Sequence, residues 1–222
     1  GNEYKGIQCI VKTDNEDAAR TGAYKLANEI GDEGQVILVV HDSNSETAKE
    51  RAKSFEEEIK NNYPSVSIVE TIYCDKLDDL KKKIAVEKDP NISEDLQKAA
   101  VEKMTDDEVM QYYLKKYPDL KGVFGTNESS TIFALEALQK TELAGKVALV
   151  GFDISEEQTA AMKNGEISGL VVQNPFGMGY ASVVAAARTV LQSGNEAVVD
   201  TGYIWVTKDN LEDESIQNML YK

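Results

Sequence analysis

The sequence predicts an α/β protein, a three-layer α/β/α arrangement around a parallel sheet. Three observations carry this. Between Leu120 and Gln173, three short apolar runs (LKGVFG, ALVGF and GLVVQ) each stop at a polar residue: Asn127, Asp153 and Gln173. Helical patterns separate the runs, Ser129–Gln139 with Ile132, Leu135 and Leu138, and Glu156–Lys163. Strand, polar tip and helix in repetition mark a parallel sheet. Upstream, Val36–Val40 is apolar at every position, as expected of a strand buried on both faces.

Taken in order, Gly6–Val11 reads as a first strand ending at Lys12-Thr-Asp-Asn15. Asp14 or Asn15 then caps a helix over Glu16–Ile30, with Ala19, Ala23, Leu26 and Ile30 on its inner face. Gly31 and Gly34 end that helix, and Val36–Val40 leads to His41. A second helix spans about Glu46–Asn61 with Phe55 and Ile59 inward, and Val66–Tyr73 alternates as a strand up to Cys74-Asp75. From Leu77 to Tyr117 the chain is charged and rich in helix formers; Pro90 breaks it, and Ser93 and Thr105 are placed as N-caps of two or three short helices. After Gln173, Pro175 opens a small-residue apolar helix to Gln192, Tyr203–Thr207 is a last strand, and Asp213–Tyr221 a last helix.

Composition excludes several functions. The chain has 222 residues and a formal charge of −15, with 24 Lys and Arg against 39 Asp and Glu. So acidic a surface repels nucleic acid and anionic membrane. One histidine, His41, and two distant cysteines, Cys9 and Cys74, make no zinc spacing. The two cysteines are readable as a disulfide or as free thiols. Asp89, Glu94 and Asp95 lack the glycine and alternating oxygens of a calcium loop, so no metal and no cofactor are expected. No run reaches the ~18 apolar residues of a membrane span, and GNEYKGIQ does not read as a signal peptide. No nucleophile elbow and no phosphate-cradling glycine loop are present, which argues against an enzyme.

The candidate site follows from the tips. In parallel sheets ligands sit beyond the carboxyl ends of the strands. Asn127, Asp153 and Gln173 therefore either share one polar pocket or merely cap the following helices. Arg51 has two readings as well: an exposed ion pair among Glu46, Glu50 and Glu56–Glu58, or a clamp whose planar guanidinium holds vicinal hydroxyls or a carboxylate.

The order TDN, VILVV, KERAKSF, GVFGTNE, ALVGFD and GLVVQNPFGMG resembles the sugar-binding solute receptors of ABC transporters, the ribose- and galactose-type branch of type I periplasmic binding proteins. Lactose-repressor-like regulators share the effector-binding part of that fold, so an effector or sensor domain is the alternative. The resemblance implies two lobes joined by three crossings. Residues 1–14 would hold a strand of the first lobe and the first crossing, 15–172 the second lobe, 173–202 a helix of the first lobe, and 203–222 the last strand and helix of the second. It implies ligand contacts at Arg51, Asn127, Asp153 and Gln173, with Phe152 as an apolar wall and Asp14 at the first crossing. It also implies a monosaccharide ligand, an ABC permease as partner, and a periplasmic or surface-lipoprotein location. Most of the first lobe is expected ahead of Gly6, so the sequence reads as a fragment or as a chain that another completes. Helix 175–192 then has an uncovered apolar face suited to self-association. Cys74 stands where the family has an aromatic, with Tyr73 adjacent, and residues 81–110 read as an insertion.

Overall fold

The structure, a computed structural model, describes residues 6–217. Its first part comprises β1 (Ile10–Lys12), α1 (Asn15–Glu29), β2 (Gly34–Val40), α2 (Glu46–Asn62) and β3 (Val66–Tyr73). Three helices follow, α3 (Leu77–Lys88), α4 (Glu94–Lys103) and α5 (Asp106–Lys116). Then come β4 (Leu120–Gly125), α6 (Glu128–Lys140), β5 (Ala148–Phe152), α7 (Glu156–Lys163) and β6 (Gly169–Gln173). The last elements are α8 (Pro175–Val190), β7 (Val198–Asp200), β8 (Tyr203–Val206) and α9 (Glu214–Gln217).

Six strands make one sheet in the order β3-β2-β4-β5-β6-β8. Its pairs are parallel except β6 with β8. Side-chain alternation splits its core in two, because successive residues of a strand point to opposite faces. Val36, Leu38, Val40, Phe124, Val150, Phe152 and Val171 pack under α1 and α2 with Ala19, Ala23, Leu26, Phe55 and Ile59. Ile37, Val39, Ile72, Val123, Leu149, Leu170 and Val172 face the other way, against Ile84, Val109, Met110, Leu135, Leu138 and Met162. Helices thus cover both faces.

Close approach of α6 to the sheet depends on two glycines. A Cβ on Gly151 would overlap the Thr131 side chain, and one on Gly125 would lie 2.7 Å from the Thr131 Cα. Without side chains there, the first turn of α6 rests directly on β4 and β5. Helix starts behave as the sequence predicts: Asp14 caps α1 by accepting from Asp17 N–H at 2.9 Å, Ser93 caps α4, and Thr105 forms a capping box with Glu108.

β1 and β7 form a separate two-stranded parallel sheet. α8 has no buried residue; Phe176, Tyr180, Val183, Val190 and Leu191 are all at least two-thirds exposed. Several expectations are adjusted. The first strand covers only Ile10–Lys12, because its partner β7 is itself three residues long. β7 has no forerunner in the sequence reading: EAVVD is too short to stand out. α9 covers Glu214–Gln217, and the rest of the predicted terminal helix lies outside the described residues. The stretch read as an insertion folds as the end of α3, all of α4 and the start of α5, with no buried residue on α4. Cys9 and Cys74 are free thiols, and burial pushes the Cys74 thiol up to about 11.

Candidate functional site

From β2 the chain moves to β3 on one side and then to β4 on the other. The loops leaving β2 and β4 therefore diverge, and a crevice opens at the carboxyl ends of these neighbouring strands. The tips that surround it are His41 after β2, Thr126-Asn127 after β4, Asp153 after β5, and Gln173 at the end of β6.

Arg51 points inward from α2 and is 4 % exposed, so it is not a surface ion pair. Its Nε donates to Asn15 Oδ1 at 2.9 Å and its Nη1 to the Thr126 carbonyl at 2.7 Å. The Asn15 amide in turn donates to Glu50 at 2.9 Å. The guanidinium lies 4.0 Å from the centre of the Phe152 ring. Burial pulls the Arg51 pKa below its ordinary value, while the charges of Asp153 and Glu50 oppose the shift. Among the described residues, Nη2 has no protein acceptor.

Phe152 is placed differently from the expected ligand wall. It is fully buried, edge-on to Phe124 at 6.0 Å, and Phe124 stacks on Phe55 at 4.3 Å. Its ring is a platform under Arg51. Strand alternation explains this, since Phe152 shares the α1–α2 face with Val150.

Asp153 adopts φ = +62°, the left-handed region that costs a non-glycine residue roughly 1–3 kcal/mol, least for Asp and Asn. The turn presents its carboxylate to two neighbours. Oδ1 accepts from the Gln173 amide at 2.6 Å, and Oδ2 accepts the Glu128 N–H at a long 3.4 Å. Beside them lies a cavity of about 310 Å³ lined by Glu128, Asp153, Ile154, Val172, Gln173 and Pro175. Asn127 is a helix cap: its Oδ1 accepts Ser130 N–H at 2.9 Å and the Ser129 hydroxyl at 3.0 Å. The cap engages the oxygen and leaves the amide NH₂ without a protein acceptor among the described residues.

Asp14 lies on the first of three segments that link the two sheets, next to Asn15, the partner of Arg51. Its N–H donates to Asp200 Oδ1 at 3.0 Å, as does the N–H of Gly202. Thr201 N–H donates to the Lys12 carbonyl at 3.0 Å, and the Asn174 amide to the Thr201 carbonyl at 3.2 Å. The segments at 12–14, 173–174 and 200–202 are thus laced together by hydrogen bonds.

Thr126 and His41 are missing from the sequence-based site. The buried Thr126 hydroxyl accepts the His41 N–H at 3.1 Å and lies 2.8 Å from His41 Nδ1. Burial, then the charge of Arg51, lowers the His41 pKa, against opposing pulls from Asp42, Asp153 and Asp75. The available signal was position alone: each directly follows a strand. Ser43 donates twice to Asp75, at 3.0 and 2.7 Å, tying the loops after β2 and β3.

The structure thus brings an arginine, a carboxylate and amides to the tips of a mostly parallel sheet covered by helices on both faces. The chain belongs to the periplasmic binding protein domain family, whose match covers residues 5–195. It is 36 % identical over 84 residues to the ribose import binding protein RbsB of Salmonella typhimurium, a match spanning 37 % of this chain and 27 % of that protein. Among solved structures it is similar to a carbohydrate transporter solute binding protein from Agrobacterium radiobacter in complex with D-arabinose, with TM-score 0.79 and 26 % identity over all of this chain and 68 % of that one. A solute binding protein from Agrobacterium vitis with bound D-fucose aligns with TM-score 0.76 and 25 % identity, over 96 % of this chain and 65 % of that one. The chain thus spans about a quarter of the curated relative and about two thirds of these structures.

Proposed function

We propose that this chain binds a small sugar or similar polyol outside the cytoplasm and serves an ABC transporter permease, without chemical change to the ligand. Residues 15–172 and 203–217 form one lobe, while 6–14 and 173–202 supply the hinge and parts of a second lobe. The cleft between them is the binding site, and Arg51, Asn127, Asp153 and Gln173 are its contacts in this lobe. Asp14 lies at the hinge and Phe152 acts through Arg51. One observation carries the reading: a buried, pre-positioned arginine within reach of the Asp153 charge keeps an Nη2 that has no protein acceptor among the described residues. A sugar hydroxyl both donates and accepts, so a guanidinium, a carboxylate and an amide together satisfy it. The relatives, which carry ribose, D-arabinose and D-fucose in their names, support the class of ligand.

The α8 surface belongs to the same proposal. Its only charged residue is Arg188, so a second copy meets it without the repulsion that the −15 charge imposes elsewhere. Sedimentation should show a concentration-dependent dimer that Val183→Glu dissociates.

Thermal melting with D-ribose, D-arabinose and D-fucose tests the binding reading, because a ligand held by the native state raises the melting temperature by mass action. A rise with at least one sugar, and none with an inert polyol at equal osmolarity, is expected. No rise with any sugar would contradict it.

A further inference from the structure

The crevice contains a donor that the site above does not use. His41 directly follows β2 at the point where the sheet order reverses, and it is the only histidine in the chain. Its tautomer follows from its neighbour. The Thr126 residue is fully buried, and its hydroxyl oxygen already accepts the His41 backbone N–H at 3.1 Å. The hydroxyl proton therefore needs an acceptor, since buried polar groups are paired in native structures. Among the described residues, the acceptor in reach is His41 Nδ1, at 2.8 Å. Were Nδ1 protonated instead, two donors would converge on Thr126 Oγ1 and the hydroxyl proton would have no partner. Nδ1 thus accepts, and the ring proton resides on Nε2. Nε2 has no protein acceptor among the described residues.

Thr126 is also the anchor of Arg51, whose Nη1 holds the Thr126 carbonyl at 2.7 Å. One buried residue therefore fixes two planar groups from two directions: imidazole by the hydroxyl, guanidinium by the carbonyl. Among the described residues, each keeps donor capacity without a protein acceptor, the Nε2–H of His41 and the Nη2 group of Arg51. Together they make a donor pair at the β2–β4 tips, set against the acceptor carboxylate of Asp153. We propose that His41 is a ligand-contacting, specificity-determining residue whose Nε2–H donates to an oxygen of the bound sugar beside Arg51. The inference rests on the sugar-binding reading and deepens it. The sugar must place an accepting oxygen at this end of the cleft and a donating hydroxyl at Asp153. The neutral ring is the form the surroundings favour, since burial and Arg51 outweigh Asp42, Asp75 and Asp153.

Because the chain has a single histidine, long-range proton–nitrogen NMR of the uniformly ¹⁵N-labelled protein reports this ring without ambiguity. The free protein at neutral pH should show the Nε2–H tautomer, and Thr126→Val should release it to a mixture. D-ribose, D-arabinose and D-fucose are then titrated in turn. The sugar that moves the backbone amides of Asn127 and Asp153 should also move the His41 Nε2 resonance. His41→Phe should weaken that sugar about tenfold, the effect of one lost hydrogen bond, and His41→Gln should recover part of the loss. An Nδ1–H tautomer in the free protein would overturn the assignment. So would a sugar that shifts Asn127 and Asp153 but leaves His41 unmoved and binds His41→Phe equally well; the sugar-binding reading would then stand without His41. If none of the sugars perturbs any amide at the tips, both the reading and this inference fall.

Discussion

The guanidinium of Arg51 lies 4.0 Å over the ring of Phe152, and both are buried. A cation stacked on an aromatic face gains from the ring quadrupole, more so away from water. The pair therefore couples the core to the strand tips: Phe152 reaches Phe124, and through it Phe55, below, while Arg51 reaches Thr126 and Asn15 above.

Phe152→Ala should destabilise the protein by about 3–5 kcal/mol, through the cavity left between Phe124 and Arg51. Phe152→Leu should cost less and still loosen Arg51. Urea denaturation of both variants checks this. A ring that only lined a ligand would leave stability nearly unchanged when truncated, so equal midpoints would reject the platform role.

Gly151→Ala places a methyl group into Thr131, whose hydroxyl donates to the Asn127 carbonyl at 2.7 Å. We expect a loss of about 1–3 kcal/mol as α6 is pushed off the sheet. Thr131→Ala in the same chain should relieve part of it, giving a favourable coupling in a double-mutant cycle. Additive effects would mean that the contact is not what sets the helix position.

The histidine makes a pH prediction with a definite sign. Its folded pKa lies below the ordinary 6.5, so the unfolded chain takes up the proton first. His41's neutral state thus costs no stability above about pH 6.5, and stability is lost as pH falls from there through the folded pKa. Below the folded value the loss is complete. Melting temperatures between roughly pH 7 and pH 5 should fall more steeply for the wild type than for His41→Gln. Parallel curves would show that the ring is not held neutral by its surroundings.

The fold was legible where elements are long and one-sided. The runs at Val36–Val40, Leu120–Gly125 and Ala148–Phe152 are apolar because both faces are covered, and each stops at a polar tip. N-caps at Asp14, Ser93, Thr105 and Asn127 were readable because capping is chemistry within three residues. Arg51 was ambiguous from sequence, since its acidic helix suits an exposed ion pair equally well. What buries it is a backbone carbonyl 75 positions away at Thr126, and no side-chain pattern encodes that. His41 and Thr126 were missed for the same reason: their meaning lies in a contact between two strand ends. Phe152 was legible in principle, because alternation from Val150 already assigns it to the helix-covered face.

Asp153→Gly is the most direct test of the central claim that the strand tips form a sugar site. Glycine adopts the φ of +62° without strain, so the variant removes the carboxylate while leaving the backbone at ease. Calorimetric titration of wild type and variant with D-ribose, D-arabinose and D-fucose should show binding of at least one sugar by the wild type. The variant should bind that sugar about tenfold to a hundredfold more weakly, as expected for roughly 1–3 kcal/mol of unpaired hydroxyls, with an unchanged melting temperature in the absence of sugar. Equal affinity in the two proteins, or no binding heat from the wild type with any of the three sugars, would contradict the account.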